Sequence, residues 1–126
     1  MRTQTRATLR EDSPLTIIDL EGEVTTFSQG PIEVAYEQAS ENGARDILLN
    51  FRNVAYLNSA GIAVIIELLT KARQRDQSIY VTGLTDHYVK VFKYTGLESY
   101  VRICDTEEQA RSAVTREVLP GRDHPS

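Results

Sequence analysis

The chain is poor in the residues that carry most metal and redox chemistry. It has one cysteine, Cys104, and only two histidines, His87 and His124. A single thiol cannot close an intramolecular disulfide, and this set cannot supply zinc ligands at their usual spacing. Cys104 ends the short apolar run Val101-Arg102-Ile103-Cys104, where the expected role is that of a small buried hydrophobe. Tryptophan is absent. No apolar run approaches the roughly 18 residues of a membrane span, and the first residues lack the apolar stretch of a secretion signal. Membrane insertion is not expected, and the expected compartment is the cytoplasm.

The motifs of nucleotide binding and nucleophilic catalysis are also missing. Neither G-x-G-x-x-G nor G-x-x-x-x-G-K-[ST] occurs, which removes the common phosphate cradles. Asn58-Ser59-Ala60-Gly61 lacks the glycine two residues before the serine that a G-x-S-x-G elbow needs. A Ser-His-Asp arrangement would require His87 to reach Ser59. No pair of carboxylates stands apart from the rest, so neither catalysis nor a bound cofactor or metal is expected. A net charge of −4 lacks the concentrated basic surface of a nucleic-acid binder. Arg2, Arg6 and Arg10 do make the first ten residues basic, which suits a solubilising leading strand.

What is present is an ordinary globular composition, 40% hydrophobic and 25% charged over 126 residues, enough for one domain with a real core. Thr3 to Arg10 alternates as an edge strand, Asp12-Ser13-Pro14 supplies a turn, and Leu15 to Leu20 resumes as a strand, predicting a hairpin. Glu21 to Thr25 continues beyond that strand. Ser28-Gln29-Gly30-Pro31 opens a helix whose Ile32, Ala35, Tyr36 and Ala39 share one face and which stops at Asn42-Gly43.

Ile47 to Phe51 is a short apolar run suited to a central strand covered on both faces. A helix from about Ala60 to Arg75 follows, with Ile62, Ile65, Ile66 and Leu69 as its apolar stripe and Glu67–Lys71 as an i,i+4 pair. Ser78 to Thr82 reads as a strand, Thr85-Asp86 as the start of a helix ending at Gly96, and Tyr100 to Cys104 as the last strand. Thr106 and Gln109 form a capping-box pattern at the start of a final helix. The predicted order is β-β-α-β-α-β-α-β-α, an α/β fold with an N-terminal hairpin and parallel strands thereafter. The domain is expected over residues 1–118, with 119–126 as a disordered tail.

The most informative stretch is Leu57-Asn58-Ser59-Ala60-Gly61-Ile62, where a hydroxyl falls at the start of a helix. Unpaired N–H groups and the helix dipole there favour negative charge. Ser59 is therefore either a helix cap or a place for a phosphate. Gly61 permits either the close approach of a partner backbone or tight helix packing. Ala63, Val64 and Glu67 lie beside Ser59 on the predicted helix, and together with Asn58, Ser59, Ala60 and Gly61 they form the candidate partner surface. Thr25 and Thr26, after the second strand, are added to it.

Leu20-Glu21-Gly22-Glu23-Val24, Ile47 to Phe51, Asn58-Ser59-Ala60-Gly61-Ile62, Gly83-Leu84 and Tyr94-Thr95-Gly96-Leu97 occur in the order and context found in STAS domains (sulfate transporter and anti-sigma factor antagonist domains). The chain resembles the stand-alone bacterial anti-sigma factor antagonists of that family over Thr3 to Val118. Asn58 and Thr25 stand where the family often has aspartate, and Ala60 replaces a second hydroxyl. The resemblance implies a mixed sheet of about five strands packed with about four helices. It implies phosphorylation of Ser59 by a partner anti-sigma serine kinase of the GHKL ATPase type, with release of the complex and reversal by a PP2C-type phosphatase. The alternative within the family is an accessory subunit of a transport or signalling assembly, with Ser59 acting only as a cap.

Overall fold

Ser13 and Pro14 turn the chain between two antiparallel strands, β1 (Arg6–Asp12) and β2 (Leu15–Val24), paired from Arg6↔Glu21 to Asp12↔Leu15. The computed structural model describes residues 4–117, so Arg2 and the predicted tail at 119–126 lie outside the described residues. A single 3-10 turn, Thr26–Ser28, leads from β2 into α1 (Gln29–Glu41). There follow β3 (Asp46–Leu57), α2 (Ser59–Gln74), β4 (Ser78–Thr82), α3 (Asp86–Tyr94), β5 (Arg102–Cys104) and α4 (Glu107–Glu117). The sheet order is β1-β2-β3-β4-β5, parallel from β2 onward. The predicted fold class and element order are both borne out.

Alternation along the strands sorts side chains onto two faces. Ile47, Leu49 and Phe51 of β3, with Ile18 and Leu20 of β2, pack against Ile32, Ala35, Tyr36 and Ala39 of α1, Ile65 and Leu69 of α2, and Phe92 of α3. Leu48, Leu15, Ile17 and Tyr80 face the other way, onto Ala110 and Val114 of α4. The buried face of α1 is the predicted one. Cys104 is buried in the second cluster, and burial pushes its thiol pKa up, as suits a packing residue.

Four local expectations are corrected. Both central strands outrun their apolar cores: β2 continues to Val24 and β3 to Leu57, joined in parallel through register shifts at Asp19/Glu21 and Gly22/Glu23. The polar residues Glu21, Glu23 and Asn53 extend because each strand supplies the other's ladder, which local composition does not encode. On α2 the buried residues are Gly61, Ile65, Leu68, Leu69 and Ala72, while Ile66 is 43% exposed, so the stripe is rotated from the predicted one. Glu67 and Lys71 do not meet in a salt bridge, although the Glu67 charge still acts on Lys71 through space. Lys71 Nζ reaches Glu33 at 3.2 Å and Gln29 Nε2 donates to Glu67 at 3.2 Å, because α1 lies alongside α2 and offers partners across the seam.

Arg10 is the fourth. Rather than a free solubilising charge, its Nε donates to Asp19 Oδ2 at 2.5 Å and its Nη2 to Glu107 Oε2 at 2.7 Å, while Asn50 Nδ2 donates to Asp19 Oδ1 at 2.8 Å. This cluster ties three strands to the first turn of α4. That turn is also capped: Gln109 N–H donates to Thr106 Oγ1 at 3.1 Å, and Gln109 Oε1 accepts from Asp105 N at 2.7 Å, one residue before the predicted partner.

Candidate functional site

Val24 and Leu57 are the last paired residues of β2 and β3, so the turns that follow leave the sheet side by side. The Asn58 N–H donates to Val24 O at 3.3 Å, which holds the second turn to the end of β2. The Leu57 N–H donates instead to Tyr88 Oη, at 3.0 Å.

Asn58, with an extended backbone (φ −107°), caps α2: its Oδ1 accepts the Gly61 N–H at 2.9 Å. Ser59 is therefore the first residue inside the helix and not its cap. A cap needs extended geometry just before the first turn, and Asn58 occupies that position with an oxygen of the right reach. Ser59 is exposed, and among the described residues its hydroxyl makes no hydrogen bond. The first turn of α2 carries no acidic side chain, while Lys71 and Arg73 complement the dipole in its last turn. The positive end of the helix thus meets solvent at Ser59 with no carboxylate of its own.

Gly61 is set by packing. A Cβ there would lie 2.1 Å from Val24 O and 2.6 Å from Val24 C, so only glycine lets α2 begin this close to β2. Gly61 is buried, which removes it from the surface on which the sequence placed it.

Thr25 is likewise inward. It is 8% exposed, its Oγ1 accepts the Phe27 N–H at 3.2 Å, and its own N–H donates to Ser28 Oγ at 2.7 Å. Ser28 is fully buried and anchors the turn further, donating to Glu23 O at 3.2 Å and bonding Thr5 Oγ1. Thr25 builds the turn; it does not face outward.

What the two turns expose is Thr26, Ser59, Ala63 and Glu67, with Asn58, Ala60 and Val64 half-buried around them. Two aromatic residues join them that sequence reasoning missed. Phe27 is 72% exposed on the turn that packs against α2, and Tyr56 is 47% exposed three residues before Ser59. The available signal was Phe27 itself, an aromatic side chain amid Thr25, Thr26, Ser28 and Gly30. The surface is a free hydroxyl at a helix N-terminus bordered by exposed aromatic and small apolar side chains. Such a mixture fits protein contact better than catalysis.

Among the described residues no catalytic partners are assembled here. His87 is exposed on α3, edge-on to the Tyr88 ring at 5.0 Å, and it makes no hydrogen bond to Ser59. Among the described residues there is no group of three His, Cys, Asp or Glu able to hold a metal ion, and no helix is long and apolar enough to cross a membrane. The nearby charges belong to the α1–α2 seam, where Glu33 raises the Lys71 pKa and the Arg75 guanidinium lowers that of Glu37.

Known proteins share this fold. The model of the STAS domain family matches residues 6–110. An anti-sigma-B factor antagonist of Staphylococcus aureus is 28% identical over 87 residues, 69% of this chain and 81% of that protein. An anti-sigma factor antagonist from Mycobacterium paratuberculosis superposes with a TM-score of 0.76 at 15% identity, covering 89% of this chain and 95% of that one. The Bacillus cell fate determinant SpoIIAA in its phosphorylated form superposes with a TM-score of 0.66 at 22% identity, covering 86% of this chain and 98% of that one. At such identities the two structures speak for the fold alone.

Proposed function

The chain belongs to the STAS domain family, and on that premise we propose that it is a cytoplasmic anti-sigma factor antagonist whose partner binding is switched by phosphorylation of Ser59. Its partner in this reading is an anti-sigma factor with a GHKL-type serine kinase domain. The unphosphorylated chain binds it, the kinase modifies Ser59, and a PP2C-type phosphatase restores the binding form.

The observation that carries the reading is the free hydroxyl of Ser59. Because Asn58 does the capping, Ser59 is exposed and uncommitted, so modifying it breaks no bond of the fold. A phosphate adds about −1.5 to −2 charges at neutral pH. In the free protein that charge meets the unpaired N–H groups of the first turn of α2 and is tolerated. Inside a packed interface flanked by Phe27 and Ala63 the same charge loses its water, at a cost on the order of several kcal/mol. About 1.4 kcal/mol corresponds to a tenfold loss of affinity, so one modification empties a micromolar complex without a change of fold.

The test uses Ser59→Ala and Ser59→Asp with the kinase-type anti-sigma factor and ATP. Ser59→Ala is expected to bind and to gain no phosphate by intact mass, and Ser59→Asp is expected not to bind. Equal binding of both variants would sink the switch. If no phosphate is added to the wild-type chain, the accessory-subunit reading takes its place.

A further inference from the structure

We infer that Tyr88 is a positioning residue for Ser59, and that its phenol oxygen fixes the turn on which the serine is presented. The inference rests on the proposed role of Ser59 for its functional consequence, but not for its geometry.

β3 is paired with β4 only as far as Asn50↔Thr82, so its last seven residues have no strand on that edge. Backbone N–H groups of successive strand residues point to opposite edges. Asn58 donates toward β2, to Val24 O, so Leu57 points the other way, toward the edge β4 has left empty. Leu57 is 5% exposed, and a buried N–H without an acceptor is costly. Tyr88 Oη supplies that acceptor at 3.0 Å.

The acceptor is itself held. Tyr88 lies one helical turn before Phe92, which is fully buried and meets Phe51 of β3 edge-on with ring centroids 6.2 Å apart. α3 is therefore fixed to β3 at Phe51 and again at Leu57. The two amides before Ser59 are clamped from opposite sides, by Tyr88 and by Val24, and the next polar group, the Asn58 side chain, is committed to Gly61. Ser59 inherits its position from this chain of bonds. A binding partner then meets a preformed serine rather than one that must be ordered on contact.

Residue-resolved amide exchange of the full chain tests the geometry, with Tyr88→Phe keeping the ring and removing only the oxygen. Exchange at Leu57 is expected to quicken about tenfold, with smaller increases through Gly61. Phosphorylation of Ser59 by an anti-sigma serine kinase is expected to slow several-fold at limiting substrate. Thr85→Ala is the control: it removes the cap of α3, whose Oγ1 accepts the Tyr88 N–H, without touching the phenol. Unchanged exchange at Leu57 in Tyr88→Phe overturns the inference, as does an equal loss of phosphorylation in Thr85→Ala with exchange at Leu57 unchanged. Should the kinase modify neither wild type nor variant, the proposed function fails while the Leu57 exchange still decides the positioning role. Should wild type and Tyr88→Phe be modified at equal rates, the positioning role fails while the proposed function stands.

Discussion

The side-chain oxygen of Asn58 accepts the Gly61 N–H at 2.9 Å, and this bond decides how Ser59 is used. It takes the capping role from the serine next to it. Asn58→Ala is expected to destabilise the protein by about 1 kcal/mol, the usual cost of an N-cap, and Ser59→Ala by less than about 0.5 kcal/mol. Urea unfolding of the two variants checks the order. A larger loss for Ser59→Ala would mean that the serine is the cap.

A negative charge at Ser59 is expected to be neutral or stabilising in the free protein. Ser59→Asp should raise stability by about 0.3–1 kcal/mol at low salt, with the gain shrinking as salt screens the helix dipole. Urea midpoints at low and high salt measure this. A marked destabilisation would show that phosphorylation acts by unfolding rather than at an interface.

Gly61→Ala places a methyl group against Val24 O at 2.1 Å, inside any allowed contact. The helix start or the end of β2 must move, at a cost of about 1–3 kcal/mol or more. Thermal unfolding reads the loss. Binding should fall too, because the displaced turn carries Ser59.

Phe27 separates stability from recognition. At 72% exposed it contributes little to the fold, so Phe27→Ala should change stability by no more than about 0.5 kcal/mol. As an aromatic anchor beside Ser59 it should weaken partner binding by more than about 1 kcal/mol, measured by calorimetry against the kinase-type anti-sigma factor. Unchanged affinity would place the interface elsewhere.

The Arg10–Asp19 pair makes stability depend on pH. The Arg10 guanidinium, more than any other group, holds the Asp19 carboxyl below its usual range, with Asn50 assisting. A carboxyl lowered in the folded state stabilises above its ordinary pKa, and that contribution is lost as pH falls through the folded value. Stability should therefore drop below about pH 4. Asp19→Asn is expected to cost about 1 kcal/mol at neutral pH, moderated by the exposure of Arg10, and to flatten the acid limb. Urea midpoints across the acid range test it.

Much of the fold was legible because it repeats locally. The buried face of α1, the bounds of β4 at Ser78–Thr82, and the capping threonines Thr85 and Thr106 are all written in nearby residues. The far ends of β2 and β3 were not, because residues such as Glu23 and Asn53 become strand only through a partner strand distant in sequence. The rotation of α2 escaped for a similar reason. Ile66 is as hydrophobic as Ile65, and only the arrangement of α1, α3 and the sheet decides which of them is covered.

The site divides the same way. Sequence alone determined that a serine stands at the start of a helix after a central strand, since strand, turn and helix signals are local and agree. Tertiary structure decided what that serine is free to do. Asn58 takes the cap, Val24 demands a glycine at position 61, Tyr88 takes the Leu57 amide, and Phe27 and Tyr56 reach the surface. All but the Asn58 cap, a bond between near neighbours, depend on the distance between residues far apart in the chain. Local periodicity sets which way a side chain points along its own element, and only packing sets what it meets.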